Sequence, residues 1–541
     1  MKRILSPTCL TLATLILLTG CQTAQYQLQS VVPHRIEITK ALDARPDAQA
    51  TAFIAPFHVG VDSLRLPYLG ESEQYMAGHR PESFLSNWVA DAFVAAGQRM
   101  GYEPDFGLCN IGGLRAALPK GQVFRGDIMA IAPFENHFSI VKMKGSDVTE
   151  LMKNIATVLG EGVSSAVRLV ITRNGQLQSA TIGGQPIDPE RIYTIATLDY
   201  IAEGNDKLVA MKKATERFDT DELVRETLMK HIKQLDQKGE KAHAQIEGRV
   251  TISDLDEAQQ QMKPEEPTPV TALVPIRNNT NGKKCELLIV HTNDTHSCVE
   301  PLSPNLSDTT QANKGGYLRR AALLNELRAK DPNLLLVDAG DFSQGSAYYN
   351  LYHGDVEVGL MNIMGYDAAT IGNHEFDFGV ENMARLFRMA QFPIVCCNYD
   401  FTGTACEGLV KPYVIIKRNG LKIGIFGVSP KLEGLVSAHT CQGVRFSDPI
   451  AAAQPVADYL KNKAKCDLVV CLSHLGWNVA GVSDEEFIPA TRNIDVVIGG
   501  HSHTYFVNPE LLTNLNGIVV PNNQMGKNAQ YVGTLRLTLS K

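Results

Sequence analysis

Two rhythms of apolar and polar positions divide the chain at a polar stretch. From about residue 35 to 255, apolar residues at helical spacing over 82–96 and 147–159 mix with short β-rich runs at 138–143 and 193–197. That mixture predicts an α+β half. Beyond about residue 284, apolar β-branched runs recur with helical stretches between them, at 287–291, 334–337, 368–371, 423–428, 468–472 and 496–498. This rhythm predicts an α/β layered sandwich. Between the halves, 257–284 is polar and Pro-rich with no sustained apolar period, and reads as a linker. No short-period internal repeat is present.

The first apolar run differs from the rest. Met1-Lys2-Arg3 supplies a basic start and 10–18 an apolar core too short to span a bilayer, which predicts an export signal over 1–20. Its end, Leu18-Thr19-Gly20-Cys21-Gln22, resembles the bacterial lipobox. The resemblance implies cleavage before Cys21, lipidation of its sulfur, and a lipid-anchored protein of the bacterial cell envelope at the outer membrane, with 21–34 as a tether. No later segment reaches the roughly 18 consecutive apolar residues of a spanning helix.

Composition narrows the partners. With 541 residues, 44% hydrophobic and 20% charged, the chain is long enough for more than one core and too ordinary for a disordered or collagenous protein. A net charge of -7 argues against binding nucleic-acid polymers and leaves small anionic substrates open. Setting Cys9 and Cys21 aside leaves Cys109, Cys285, Cys298, Cys396, Cys397, Cys406, Cys441, Cys466 and Cys471, an odd number without CxxC spacing. The expectation is mostly buried small hydrophobes with one or two disulfides.

Metal-binding residue types follow the apolar runs of the second half. Asp294 and His296 follow the first (HTNDTH), Asp341 the second (AGD), and Asn373 and His374 the third (GNHEFD). His474 follows the fifth, and His501 and His503 the sixth (GGHSH). Open α/β sheets carry their sites at the carboxyl ends of strands. Two divalent ions need a bridging carboxylate with further oxygen and imidazole donors, and Asp341 suits the bridge. Asp294 and His296, two apart in an extended segment, would point the same way.

This ordered set resembles the calcineurin-like metallophosphoesterases, and NHEFD and GGHSH resemble their 5'-nucleotidase branch. The resemblance implies a four-layer α/β/β/α sandwich over 285–541 holding two divalent metal ions, whether Zn, Mn, Co or Fe. It implies Asp294, His296, Asp341 and His503 around one ion, and Asp341, Asn373, His474 and His501 around the other. His374 is the implied catalytic histidine, oriented by Asp377.

The first half carries DFGLCNIGGLRAALPKGQVFRGDIMAIAPFENHF from residue 105 and YTIATLDYIAEGND from 193. These stretches resemble the substrate-binding domain of 5'-nucleotidases, here 35–256. The resemblance implies Asn110 and Arg115 on the substrate, Phe134 and Tyr200 sandwiching the base, Asn136 near the base and Asp206 on the ribose hydroxyls. Arg80 is a second candidate cation for the phosphate. An Arg fork suits phosphate and stacked aromatics suit a flat base. Two departures stand out. The family's GGDG loop reads Gly204-Asn205-Asp206-Lys207 here, and the two domains stand in reversed order. A linker able to reach about 90 Å could pass round a domain about 45 Å across, so the pocket could still face the metals.

The expected function is metal-dependent hydrolysis of nucleoside 5'-monophosphates outside the cytoplasm, for nucleotide scavenging, with no protein partner implied. The alternatives are a UDP-sugar or nucleotide diphosphatase, a 2',3'-cyclic-nucleotide phosphodiesterase, and, outside enzymes, a nucleotide-binding surface lipoprotein.

Overall fold

The structure is a computed structural model that describes residues 25–253, 273–277, 282–303 and 310–541. The expected signal over 1–20, the lipidation site Cys21 and most of the 257–284 linker lie outside the described residues.

The second half is built on two facing sheets. In the first, strands Lys284–Thr292, Leu335–Asp338, Ala368–Ala369, Ile394–Val395 and Val410–Lys411 run parallel in that order, and Tyr531–Ser540 adds antiparallel to Lys284–Thr292. The second has six strands, centred on Leu421–Val428, Leu468–Ser473 and Val496–Ile498, all parallel. Alternation along each strand decides the layers. Leu287, Ile289, Leu335 and Val337 meet Ile423, Ile425, Leu468 and Val470 between the sheets. Their neighbours Leu288, Val290 and Leu336 face the helices Tyr317–Lys330 and Asp355–Met364, while Phe426, Val469 and Cys471 face the helix Pro449–Asp458 on the other side. The order is therefore α/β/β/α. Each fully buried Leu or Ile contributes about 1.5–3 kcal/mol.

The first half is α+β. A five-stranded sheet, with His137–Lys144 and Ile192–Leu198 near its centre, packs against the helix Phe84–Arg99. That helix starts where Ser83 Oγ accepts from the Ser86 amide (3.2 Å), and it buries Leu85, Trp88, Val89, Phe93 and Ala96. Truncating Phe93 would cost about 3–5 kcal/mol.

The amino-terminal boundary differs from the expected one. Residues assigned to the tether and to the start of the substrate-binding half form the strand Gln27–Glu37, which pairs along its length with Tyr531–Ser540 in the sheet of the second half. Leu28 and Val31 enter the core between the two sheets, which is why the strand is held there. The helix Ala48–Arg65 then lies on the same half. Arg319 donates to both carboxylate oxygens of Asp43 (2.6 and 2.8 Å), and Gly359 leaves room for the Phe53 ring, where a Cβ would come within 2.2 Å. On the far side, Val274–Pro275, counted in the expected linker, pairs with Gln27–Glu37. The substrate-binding half is thus flanked on both sides by strands of the other half's sheet, so chain order alone does not describe the connection. The disulfide expectation is also corrected, since all nine described cysteines are free.

Candidate active site

Five loops at strand ends bring the expected ligands together. One group is Asp294, His296 and His503; another is Asp341, His474 and His501; a third joins His296 and Asp341 to His374; within each, donor atoms lie within 4.8 Å of one another. Asp341 belongs to two groups, as a bridging carboxylate would. Asn373 joins through its Oδ1, 2.9 Å from His501 Nδ1.

The means of display differs from the sequence expectation. Asp294 and His296 do not alternate along an extended strand: their φ angles are +47° and +45°. Asp341, His501 and His503 are also left-handed, at +54°, +71° and +55°. Such non-glycine conformations cost about 1–3 kcal/mol each and persist where surrounding structure imposes them. Glycine is required alongside. At Gly372 a Cβ would lie 2.0 Å from Asp341 Oδ1, and at Gly340 (φ +90°) 2.7 Å from the Gly372 amide.

The donor set fits divalent cations. The Ala339 carbonyl can only accept, so His474 Nδ1, 2.7 Å away, carries a proton, and Nε2, 3.1 Å from Asp341, is the nitrogen that would face a metal. Burial opposes charge on this ring, but Asp341 and Asp294 outweigh it and raise its pKa to about 10. A ring nitrogen anchored to a carbonyl so that the other faces a metal is the usual outer support of such a ligand. His296 Nε2 and His503 Nε2 approach to 2.8 Å. That spacing suits two donors converging on one cation. Burial pushes the imidazoles of His296 and His503 well below their ordinary pKa, keeping them neutral and able to ligate.

Beside this cluster, His374 Nδ1 lies 3.0 Å from Asp377 Oδ2. Burial opposes charge on His374, but the Asp377 and Asp341 carboxylates outweigh it and raise its pKa. Glu375, quoted within the motif but given no role from sequence, anchors the loops. Its carboxylate accepts from the amides of Gly372 (2.6 Å), Asp341 (3.1 Å) and Ser343 (3.1 Å). The signal available was the acidic residue inside NHEFD.

A cavity of about 720 Å³ opens over the cluster and is lined by both halves. From the first half come Asn110, Arg115, Phe134, Asn136, Tyr200 and Asp206; from the second, Asp341, Asn373, His374, Asp377, His501 and His503. Asp206 accepts from Asn110 Nδ2 (2.6 Å) and from the Tyr200 hydroxyl (3.1 Å). Burial raises the Tyr200 pKa and keeps the phenol protonated. In the Gly204-Asn205-Asp206-Lys207 loop, Asp206 and Lys207 are left-handed, at +52° and +64°. Arg115 Cζ lies 6.0 Å from the Phe134 ring centre, and its Nη2 is buried without a hydrogen-bond partner among the described residues.

Arg80 stands apart from this group and is corrected. Its Nε donates to the Gly160 carbonyl (2.8 Å), its Nη2 pairs with Glu161, and it does not line the cavity. The partner is fully buried at its side chain, so the guanidinium is held by the need to neutralise Glu161. Sequence reasoning also missed the cavity residues Leu435, Val436, Ser437 and His439, which lie on a loop without a motif.

Comparison with known proteins agrees with both halves. The family described as 5'-nucleotidase, C-terminal domain, matches residues 68–213, and calcineurin-like phosphoesterase matches 287–505. The 5'-nucleotidase of Rattus norvegicus is 32% identical over 287 residues, 50% of this chain and 48% of that protein. That of Bos taurus is 34% identical over 271 residues, 47% of this chain and 46% of that protein. The chain therefore spans about half the length of these relatives. A 5'-nucleotidase precursor structure from Thermus thermophilus is 32% identical, covering 47% of this chain and 51% of that one, with a TM-score of 0.42.

Proposed function

From a chain that carries the two domains of the 5'-nucleotidase family in reversed order, we propose a metal-dependent phosphoesterase that hydrolyses nucleoside 5'-monophosphates. The observation that carries this reading is the shared cavity: nucleoside-binding residue types and metal-ligating types line one space.

Asp294, His296, Asp341 and His503 would hold one divalent ion, and Asp341, Asn373, His474 and His501 the other. Such a pair, when bound, supplies Lewis-acid activation of water and neutralises phosphoryl charge. The chain's own residues do the rest. Arg115 offers a planar fork to the phosphoryl oxygens, and its burial makes that interaction stronger than in water. Phe134 and Tyr200 hold the base, Asn136 sits near it, and Asp206 accepts from ribose hydroxyls, positioning the ester. His374, its Nδ1–H directed at Asp377 and its pKa raised by the neighbouring carboxylates, can in the doubly protonated form donate the Nε2 proton to the leaving ribose oxygen and return to the neutral ring.

The test is phosphate release from AMP, UMP, UDP-glucose, 2',3'-cAMP and p-nitrophenyl phosphate after chelation, then with Zn, Mn, Co or Fe restored one at a time. Metal-dependent release favouring the monophosphates supports the reading. Preference for UDP-glucose or the cyclic nucleotide would transfer it to those substrates, and no release from any would leave a binding protein.

We also propose export and lipid anchoring at Cys21, supported by the basic start, the short apolar core and the LTGC ending. No helix among the described residues is long and apolar enough to cross a membrane. Cys21→Ser should abolish incorporation of labelled palmitate; undiminished labelling would refute the anchor.

A further inference from the structure

One wall of the cavity has no part in the function just described. Gln344, Tyr349 and Asn350 line it. Both amide atoms of Gln344 and of Asn350 are buried without a hydrogen-bond partner among the described residues. Gln344 is only 1% exposed. Withdrawing a primary amide from water without replacing its hydrogen bonds is unfavourable, so such a group persists where something other than the protein supplies them.

The backbone singles out Gln344. It is left-handed, at φ +68°, and Gly345 follows at +126°, where a Cβ would lie 2.4 Å from the His296 carbonyl. This loop is therefore pressed against the His296 loop, and Gln344 stands three residues after Asp341, the carboxylate common to two ligand groups. A tight, strained turn carries a neutral amide beside the cation site. Neutrality has a reason. Arg115 and the expected ions already supply positive charge, and a further cation would be repelled, whereas an amide N–H donates to an anion without adding charge.

We propose that Gln344 contacts the substrate, its side-chain N–H donating to a non-bridging oxygen of the phosphoryl group, with Asn350 and Tyr349 completing a neutral donor wall. This rests on the phosphoesterase reading above but not on the nucleoside, so it holds for any phosphate ester and for inorganic phosphate.

The test uses the full chain loaded with Mn²⁺ and three readouts: inhibition by inorganic phosphate, bound metal, and melting temperature without phosphate. Gln344→Met keeps the length and removes the donor; Gln344→Glu keeps the shape and adds a repelling charge. Both should weaken phosphate binding about 10-fold or more, with metal content unchanged and the melting temperature no lower. kcat/KM should fall by similar factors for AMP and p-nitrophenyl phosphate. Unchanged phosphate affinity in both variants, or a fall confined to melting temperature, would overturn the contact. Wild-type protein that cleaves p-nitrophenyl phosphate but not AMP would instead overturn the nucleotidase reading, and the variants would still decide the role of Gln344.

Discussion

The Phe134 ring, from the first half of the chain, lies 5.7 Å from the His374 ring of the second, centre to centre, with the planes tilted by 34°. A nucleoside held against Phe134 therefore places its ester beside the histidine proposed to protonate the leaving oxygen. The contact makes the halves interdependent.

Phe134→Ala should act on nucleotides selectively. Loss of a stacking partner is worth about 1–3 kcal/mol, so kcat/KM for AMP should fall roughly 10- to 100-fold while that for p-nitrophenyl phosphate changes little. Steady-state kinetics on both esters checks this, and equal losses would mean that the ring serves His374 rather than the base.

Glu375→Gln should loosen the metal loops. The carboxylate accepts from three backbone amides, whereas a glutamine turns an N–H toward at least one of them. An unsatisfied buried donor costs about 1–3 kcal/mol, and loss of a group supporting the ligands typically weakens metal binding about 10- to 100-fold. Metal titration with calorimetry would show both effects, and wild-type affinity would exclude the role.

Acid should destabilise the first half through His231. Burial beside Trp88 lowers its pKa from 6.5 to about 4. Because the folded value lies below the unfolded one, this group costs nothing above pH 6.5 and removes stability as pH falls from 6.5 toward 4. At about 1.4 kcal/mol per pH unit, that gap is worth about 3 kcal/mol at most. Urea unfolding of His231→Gln between pH 7 and pH 4 should show a flatter decline than wild type; parallel curves would contradict it.

Removing residues 25–37 should destabilise the second half. The strand Gln27–Glu37 covers the edge of Tyr531–Ser540 and buries Leu28 and Val31. Burial of those two side chains alone contributes about 3–6 kcal/mol, so thermal unfolding should shift down by several degrees. An unchanged melting temperature would mean that the strand is a passive addition.

Much of this site was legible because its chemistry is local. HTNDTH, AGD, GNHEFD and GGHSH each put ligand types within a few residues of a strand end, and the layered α/β sandwich was legible in the recurrence of apolar runs such as 468–472. What escaped was non-local. Gln27–Glu37 finds its partner some 500 residues away, Arg80 is captured by Glu161, and the loop at 435–440 reaches the cavity without a motif. Asp294 and His296 converge, but through left-handed turns rather than strand alternation, a distinction that residue spacing does not carry.

The account depends on two halves making one site, and Arg115→Ala tests that most directly. The residue lies in the first half, where burial opposes its charge, while Asp341 and Asp294 of the second half favour it. The metal-loaded variant should retain the wild-type metal content yet release phosphate from AMP about 100-fold more slowly, the scale expected for a buried charge-assisted contact. Wild-type turnover of AMP by that variant would contradict the shared site.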